Sequence, residues 1–461
     1  MSESYRRMYR QTLQLGLISV VEQLFPEEKL KIPYSILDGV YCELDSSLLS
    51  HREVKLIEEK LRAWVNQPSQ IEFLGQENNR YKYKLGNTII TSVYPALRDT
   101  SQITGFNLIH FPPGFILHFT DKADDSDPFV LPQKLSSTYA ESKTWLENLN
   151  LNEVEDLNIQ IRNGNSLELI STAEALHEKK IADIADLILN EKKRVRLVLI
   201  SGPSSSGKTT FTQRLSTQLR VNGLKPVSLS LDNYFVNRED TPRDASGQYN
   251  FDALEALDLP YLNEQLNCLL EGQCVQTPLF DFLTGRRRSE CLELQLCPDN
   301  ILLVEGIHAL NPRLLSTIDR DIEFKIYISS LFLLNIDSYN RVPTTEARLI
   351  RRMVRDYSFR GFAPERTLKQ WASVRRGEDT NVFKFQEEAD VMFNSSLFYE
   401  LNALRLYAEP LLEKIPASSP YADYASRLLN LLSFFEPLET DNIPLNSILR
   451  EFIGGSIYET S

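Results

Sequence analysis

The sequence predicts an α/β domain in which helices flank a parallel sheet, preceded by an α+β domain and followed by a helical extension. Three observations carry this. From Val195 onward, short apolar strands alternate with helical stretches, the pattern of a parallel sheet with crossover helices. A glycine-rich loop, Gly202-Pro-Ser-Ser-Ser-Gly207-Lys208-Thr209, joins the first of those strands to a helix. A chain of 461 residues, 42% hydrophobic and 25% charged, suits two or three domains with ample core, not a disordered or collagen-like polymer.

Taken in order, Gln11 to Leu24 and Leu48 to Val65 read as helices, separated by a strand and an Asp38-Gly39 turn. The run Asp121 to Pro128 is polar and turn-rich, so an exposed loop is expected there. Ser171 to Lys193, rich in Ala, Leu, Glu and Lys, reads as a helix that Ser171 or Thr172 would cap. Strands follow at Arg196–Ser201, Pro226–Leu231, Ile301–Val304 and Phe324–Ile328. The alternation in Cys291-Leu-Glu-Leu-Gln-Leu-Cys297 suggests a further strand with buried, reduced thiols. Cys268/Cys274 and Cys291/Cys297 are each spaced by five residues, wider than the two to four that zinc sites favour. A last helical region spans Ser396 to Phe435. The expected division is 1–170, 171–400 and 401–461, with the main boundary near residue 170.

A net charge of -13 argues against nucleic acid as the general partner, because duplex binding neutralises phosphates with basic surface. The longest apolar stretch, Phe106 to Phe119, is interrupted by His110, Pro112, Pro113 and His118, so no membrane span is expected. The first residues lack the apolar core of a secretion signal, and the expected location is the cytoplasm. Homo-oligomerisation is left open.

Four constellations carry chemistry. Gly202 to Thr209 fits G-x-x-x-x-G-K-[ST] in its required strand-to-helix context, with chance matches numbering about 0.02 in such a chain. The loop from Gly202 and Pro203 through Ser204, Ser205, Ser206 and Gly207 to the Thr210 turn would cradle phosphates with its backbone N–H groups, Pro203 having none, at a helix N-terminus. Lys208 would reach the terminal phosphates and the Thr209 hydroxyl would ligate Mg²⁺. Asp232 closes the second strand, where a carboxylate can orient an attacking hydroxyl and take its proton. Glu305 closes the third, near the metal. Finally, Arg348, Arg351, Arg352 and Arg355 share one helical face. Between Arg348 and Arg376 stand nine basic residues against Asp356 and Glu365, so an anionic ligand is expected to offset their repulsion.

GPSSSGKTT, SLDNYF, YNFDALEALD, TPLFDF, VEGIHALNP and EARLIRRMVRD together resemble the uridine kinase branch of the phosphoribulokinase/uridine kinase family, over roughly residues 172–400. The resemblance implies a P-loop NTPase kinase domain that moves the γ-phosphate of ATP, with Mg²⁺, to the 5′-hydroxyl of a small-molecule ribonucleoside. The family's general base matches Asp232 in D-x-[FY]-[FY], a motif that also places Tyr234 at the substrate. Its ribose-binding carboxylate matches Asp252, and its base-contacting aromatics fall on Phe280 and Phe282. Its lid arginines fall between Arg348 and Arg360, with Arg351 and Arg355 at the transferring phosphoryl and Arg348 and Arg360 at the substrate. Two positions depart from uridine–cytidine kinases: Phe280 replaces a Tyr and Gly285 replaces a His. Both changes remove groups that would read a pyrimidine edge, which opens the reading to another small hydroxyl acceptor.

Residues 1 to about 165, from LFPEEKL through SILDGVYCEL to HREVKLIEEKL, resemble the second additional domain of threonyl-tRNA synthetase, a tRNA-editing module. Gln11 and Leu15 stand where that module's H-x-x-x-H pair would be, so hydrolytic editing is not expected. A nucleotide-dependent RNA-binding or regulatory protein is the rival this half suggests.

Overall fold

Two antiparallel sheets and two packed helices form the N-terminal region of the computed structural model, which describes residues 3–36, 38–67, 71–103, 105–120, 132–244, 247 and 249–458. The expected loop at Asp121–Pro128 lies outside the described residues. Helix α1 (Glu3–Leu24) leads into β1 (Leu30–Lys31), β2 (Ser35–Ile36) and β3 (Gly39–Leu44). Helix α2 (His51–Asn66) follows, opened by a capping box in which Ser50 and Glu53 satisfy each other's backbone N–H groups. Gly16 permits the α1–α2 crossing, since a Cβ there would lie 2.3 Å from the Trp64 ring. Strands β4 (Glu72–Glu77), β5 (Arg80–Leu85) and β6 (Thr88–Ser92) form a three-stranded meander. The hairpin β7 (Phe106–Phe111) and β8 (Gly114–Phe119) completes the larger sheet, in the order β1-β3-β8-β7 with β2 on β3. One core, from Tyr9 to Phe119, serves these elements.

Helices α3 (Gln133–Asn148), α4 (Val154–Arg162) and α5 (Ser166–Asn190) come next. The parallel sheet then takes β9 (Leu197–Ser201), β10 (Lys225–Ser230), β13 (Asn300–Glu305), β14 (Glu323–Ser329) and β15 (Val391–Asn394). Its order is β10-β13-β9-β14-β15 and every pairing is parallel. Helix α6 (Lys208–Val221) crosses from β9 to β10, and α7 (Leu259–Leu270) precedes a two-stranded hairpin, β11 (Cys274–Asp281) with β12 (Arg286–Gln295). Helices α8 (Thr344–Arg360) and α9 (Pro364–Asn381) separate β14 from β15. Gly361, at φ 63, ends α8, and Pro364 opens α9. The chain closes with α10 (Glu400–Glu413), α11 (Ala422–Leu432) and the short α12 (Arg450–Ile453). Leu401, Leu428, Phe435, Ile448 and Phe452 join Val198, Ile200 and Ile326 in one core.

Strand order reverses around β9, because the chain passes over β13 to reach β10 and later crosses to β14 on the other side. Ligands of open α/β sheets bind outside the carboxyl ends of the strands at such a point.

Three expectations need correction. Residue 170 lies inside α5, and Leu146, Leu157 and Ile170 already belong to the core under the parallel sheet, while Leu135 and Tyr139 pack with Tyr34, Tyr41 and Ile116, so the change of core falls within α3. Ser171 and Thr172 are helix interior, because α5 starts at Ser166 behind Asn165. Cys291 and Cys297 are exposed, since β12 belongs to a hairpin standing off the main sheet with little packed on either face.

Candidate functional site

Three strand ends converge. Strand β9 delivers the loop Gly202–Gly207, which adopts φ 59 at Ser205 and φ 81 at Gly207. A Cβ at Gly202 would lie 2.4 Å from the Ile328 carbonyl oxygen, and one at Gly207 would lie 2.5 Å from Ile448, so neither position admits a larger residue without movement. The hydroxyls of Ser205 and Ser206 are buried and have no hydrogen-bond partner among the described residues. Lys208 Nζ donates to the Pro203 carbonyl at 3.2 Å. Unpaired hydroxyls and a lysine beside a helix N-terminus form an anion cradle, so the residues present fit a bound phosphate. Thr209, on the first turn of α6, is half-buried at its edge.

Strands β10 and β13 pair Ser230 with Glu305, and the Ser230 hydroxyl donates to Glu305 at 2.7 Å. Asp232 follows in a short 3₁₀ turn, Leu231–Tyr234. Burial pushes the Asp232 carboxyl up, against the opposing charges of Lys208, Arg360 and Arg355. Burial, joined by the Asp232 charge, pushes Glu305 up to about 7, with Lys208 opposing. Burial also lowers Lys208, while Glu305, Asp232 and Glu451 act in the other direction. Glu305, pressed by the Asp232 and Glu451 charges and opposed by Lys208, is the carboxylate whose ionised form a divalent cation would stabilise. Glu305 and Thr209 are the donors this chain could offer such a cation.

Asp252, on the far side of the cleft, is pushed up to about 7 by burial, with Glu378 and Asp232 adding to the rise and Arg352 opposing it. Helix α9 lies directly against it: a Cβ at Gly377 would sit 2.2 Å from that of Asp252, and Asn381 Nδ2 donates to the Asp252 carbonyl at 2.8 Å. Phe280 and Phe282, on and beside β11, pack in tilted and edge-on contacts with Phe235 (5.6 and 6.0 Å between centroids) and with each other (5.2 Å), and Arg360 lies over Phe282 at 5.3 Å. Gly285, at φ 72, turns the β11–β12 hairpin, and a Cβ there would meet the Arg238 guanidinium at 2.6 Å.

The arginine face of α8 divides in two. Arg348 Nε donates to the Ser204 carbonyl at 3.2 Å, and its guanidinium pairs with Glu378. Arg351 is fully buried: it bonds the Ser205 carbonyl at 3.3 Å, both Ser395 oxygens, and Glu400 through two donors. Ser204 N also donates to Glu378 at 2.9 Å. These side chains therefore clamp the phosphate loop from outside, which corrects the expectation that Arg348 meets the substrate and Arg351 the transferring phosphoryl. The protein's own Glu378, Glu400 and Asp356 offset the repulsion for which an anionic ligand was expected. Arg355 and Arg360, whose ion-pair partner among the described residues is Asp356, are partly exposed and remain beside Asp232. Tyr234 needs the same correction: it is buried beneath the sheet, its hydroxyl donating to Gln265 at 2.7 Å, and Phe235 is the neighbour in the aromatic group.

Glu451 on α12 was not singled out from the sequence. It accepts from Thr210 N at 3.2 Å and from its hydroxyl at 2.8 Å, capping the first turn of α6 from the far end of the chain. In the N-terminal region, Gln11 and Leu15 are both buried in α1. No described helix is long and apolar enough to cross a membrane.

The model of the phosphoribulokinase/uridine kinase family matches residues 197–397. Uridine kinase of Mycoplasma pneumoniae is 31% identical over 227 residues, covering 49% of this chain and 97% of that protein. Uridine kinase of Borrelia duttonii is 32% identical over 183 residues, covering 40% of this chain and 77% of that protein. Among solved structures, D-glycerate 3-kinase from Cryptococcus neoformans aligns at 17% identity with a TM-score of 0.31, over 44% of this chain and 87% of that one. The family model leaves the N-terminal region unmatched. From its phosphate loop, its converging strand ends and these relatives, the chain belongs to the phosphoribulokinase/uridine kinase family and is a phosphotransferase acting on a hydroxyl group.

Proposed function

We propose that the protein is a nucleoside kinase that moves the γ-phosphate of ATP to the 5′-hydroxyl of a ribonucleoside of the uridine or cytidine type. The observation that carries this is the meeting of Lys208, Asp232 and Glu305 at three strand ends, opposite Asp252 and beside the phenylalanine group. Asp232 orients the acceptor hydroxyl and takes its proton as the oxygen attacks phosphorus. Asp252 accepts hydrogen bonds from the ribose hydroxyls, and the rings of Phe280 and Phe282 cover the base. Lys208 and the loop N–H groups hold the terminal phosphates, while Arg355 and Arg360 supply positive charge as the phosphoryl group moves. Mg²⁺, held by Thr209 and Glu305, would neutralise phosphate charge.

One observation favours a second acceptor class. Arg238 occupies the space in front of Gly285, where a base-reading side chain would project, so the pocket offers a cation in place of an imidazole. An acceptor carrying an acidic or phosphate group would exploit it. ADP release with ATP and Mg²⁺ across nucleosides and sugar phosphates, with Lys208→Ala as the blank, separates the two. Lys208-dependent turnover of uridine or cytidine supports the nucleoside reading. Turnover confined to sugar phosphates replaces it.

A further inference from the structure

Between α3, α5 and the β15 edge of the parallel sheet lies a cavity of about 190 Å³, none of whose lining residues belongs to the site above. Its walls are largely rings and aliphatic chains, among them Trp145, Phe393, Phe398, Leu176 and Leu187. His177 and Ser396 also line it, and each carries a buried polar atom without a partner among the described residues: Nδ1 of His177 and Oγ of Ser396. The His177 ring is only 4% exposed and packs edge-on against Phe393 with centroids 5.1 Å apart.

The chemistry of the occupant follows from these groups. His177 Nε2 lies 3.3 Å from the Ser396 carbonyl, which can only accept, so Nε2 carries the proton and Nδ1 is a bare acceptor. Burial, with the charges of Arg214 and Arg351, holds the imidazole neutral at ordinary pH, its pKa lowered to about 3. An unmet buried acceptor costs free energy that a donor on a ligand would recover. At the mouth, Lys180 and Glu141 pair with each other and Asp183 is exposed, so the charged side chains of the lining keep contact with solvent and the walls behind them are mostly apolar. A cavity of about 150 Å³ accommodates one benzene ring, so this one suits a ring system slightly larger.

We propose that this cavity is a binding site for a small, uncharged, fused aromatic molecule that donates one N–H to His177 Nδ1. The site is separate from the proposed kinase chemistry. Its back wall nevertheless adjoins the phosphate-loop clamp, because Ser395, next to Ser396, bonds Arg351.

Indole, a fused ring with a single N–H, is the probe, and 1-methylindole is its control. Calorimetry or ligand-observed NMR on the full chain should show saturable indole binding, with 1-methylindole about two- to tenfold weaker, the range of one neutral hydrogen bond. His177→Phe should erase that preference. Ser142→Trp, which fills the cavity from α3, should abolish binding of both, with ATP binding confirming that each variant is folded. Equal affinity for the two indoles, an undiminished preference in His177→Phe, or undiminished binding to Ser142→Trp would overturn the assignment.

Discussion

Five donors decide what Arg351 does. All five guanidinium N–H groups are committed, two to Glu400, two to Ser395 and one to the Ser205 carbonyl, so none is left for a phosphate. Arg351→Ala would leave Glu400 buried and uncompensated, and should cost about 3–5 kcal/mol in chemical denaturation. Arg355→Ala removes a partly exposed side chain from Asp356, which keeps Arg352 and Arg360. That variant should keep its Tm and lose about 10²-fold in kcat. The opposite pattern would return Arg351 to the reaction. Glu305 sets a pH dependence of its own. Raised to about 7, it is largely protonated below that pH, and the neutral acid is a poor ligand for a cation until the proton leaves. The Mg²⁺ concentration giving half-maximal activity should therefore rise as the pH falls below about 7. Glu305→Gln should flatten that dependence; a wild-type requirement independent of pH would remove Glu305 from the metal.

Elements were more legible than their partners. Four of the five strands of the parallel sheet fall within a residue of their expected ends, because runs such as Leu197–Ser201 are buried on both faces and read as unbroken apolar stretches, whereas the four-residue β15 at the edge was not anticipated. The phosphate loop was legible for the same local reason: its spacing and context lie within one strand–loop–helix unit. What could not be read was who holds it. Glu378 lies 30 residues from Arg348, Glu400 lies 49 from Arg351 and Glu451 lies 241 from Thr210, and no local period encodes such pairings. The direction of Tyr234 was equally hidden, because a 3₁₀ turn obeys neither the strand nor the helix facing rule. The short α12 is the element these distances single out. Glu451→Ala should destabilise the first turn of α6 by about 1 kcal/mol and weaken ATP binding, read by titration; unchanged ATP affinity would show that the loop does not need its C-terminal cap.

Across the whole molecule, the N-terminal region grips the segment that leads into α8. Ile32 N donates to the Ser338 carbonyl at 2.9 Å, Val93 N donates to Asn340 at 2.9 Å, and Arg7 pairs with Glu346 on α8 itself. Burial alone would raise Glu346, but Arg427 and Arg7 outweigh it and hold the carboxyl at about 2, below its ordinary 4.5. A depressed carboxylate stabilises the fold above its unfolded pKa and loses that contribution as the pH falls toward the folded value. Wild-type stability should thus fall between about pH 4.5 and 2 more steeply than that of Glu346→Gln, in acid titrations followed by circular dichroism; parallel curves would mean that the two regions are not tied through this carboxylate. The arginine helix, the phosphate loop and the C-terminal cap then form one frame around Asp232, and the reaction is where that frame is judged. The most direct measurement sets ADP release by Asp232→Asn beside its ATP affinity, with the best acceptor of the panel. Turnover lower by about 10²- to 10⁴-fold, with ATP bound as in the wild type, is the expected result. Near-wild-type turnover would show that the proton leaves by another route and that the frame is built around a different group.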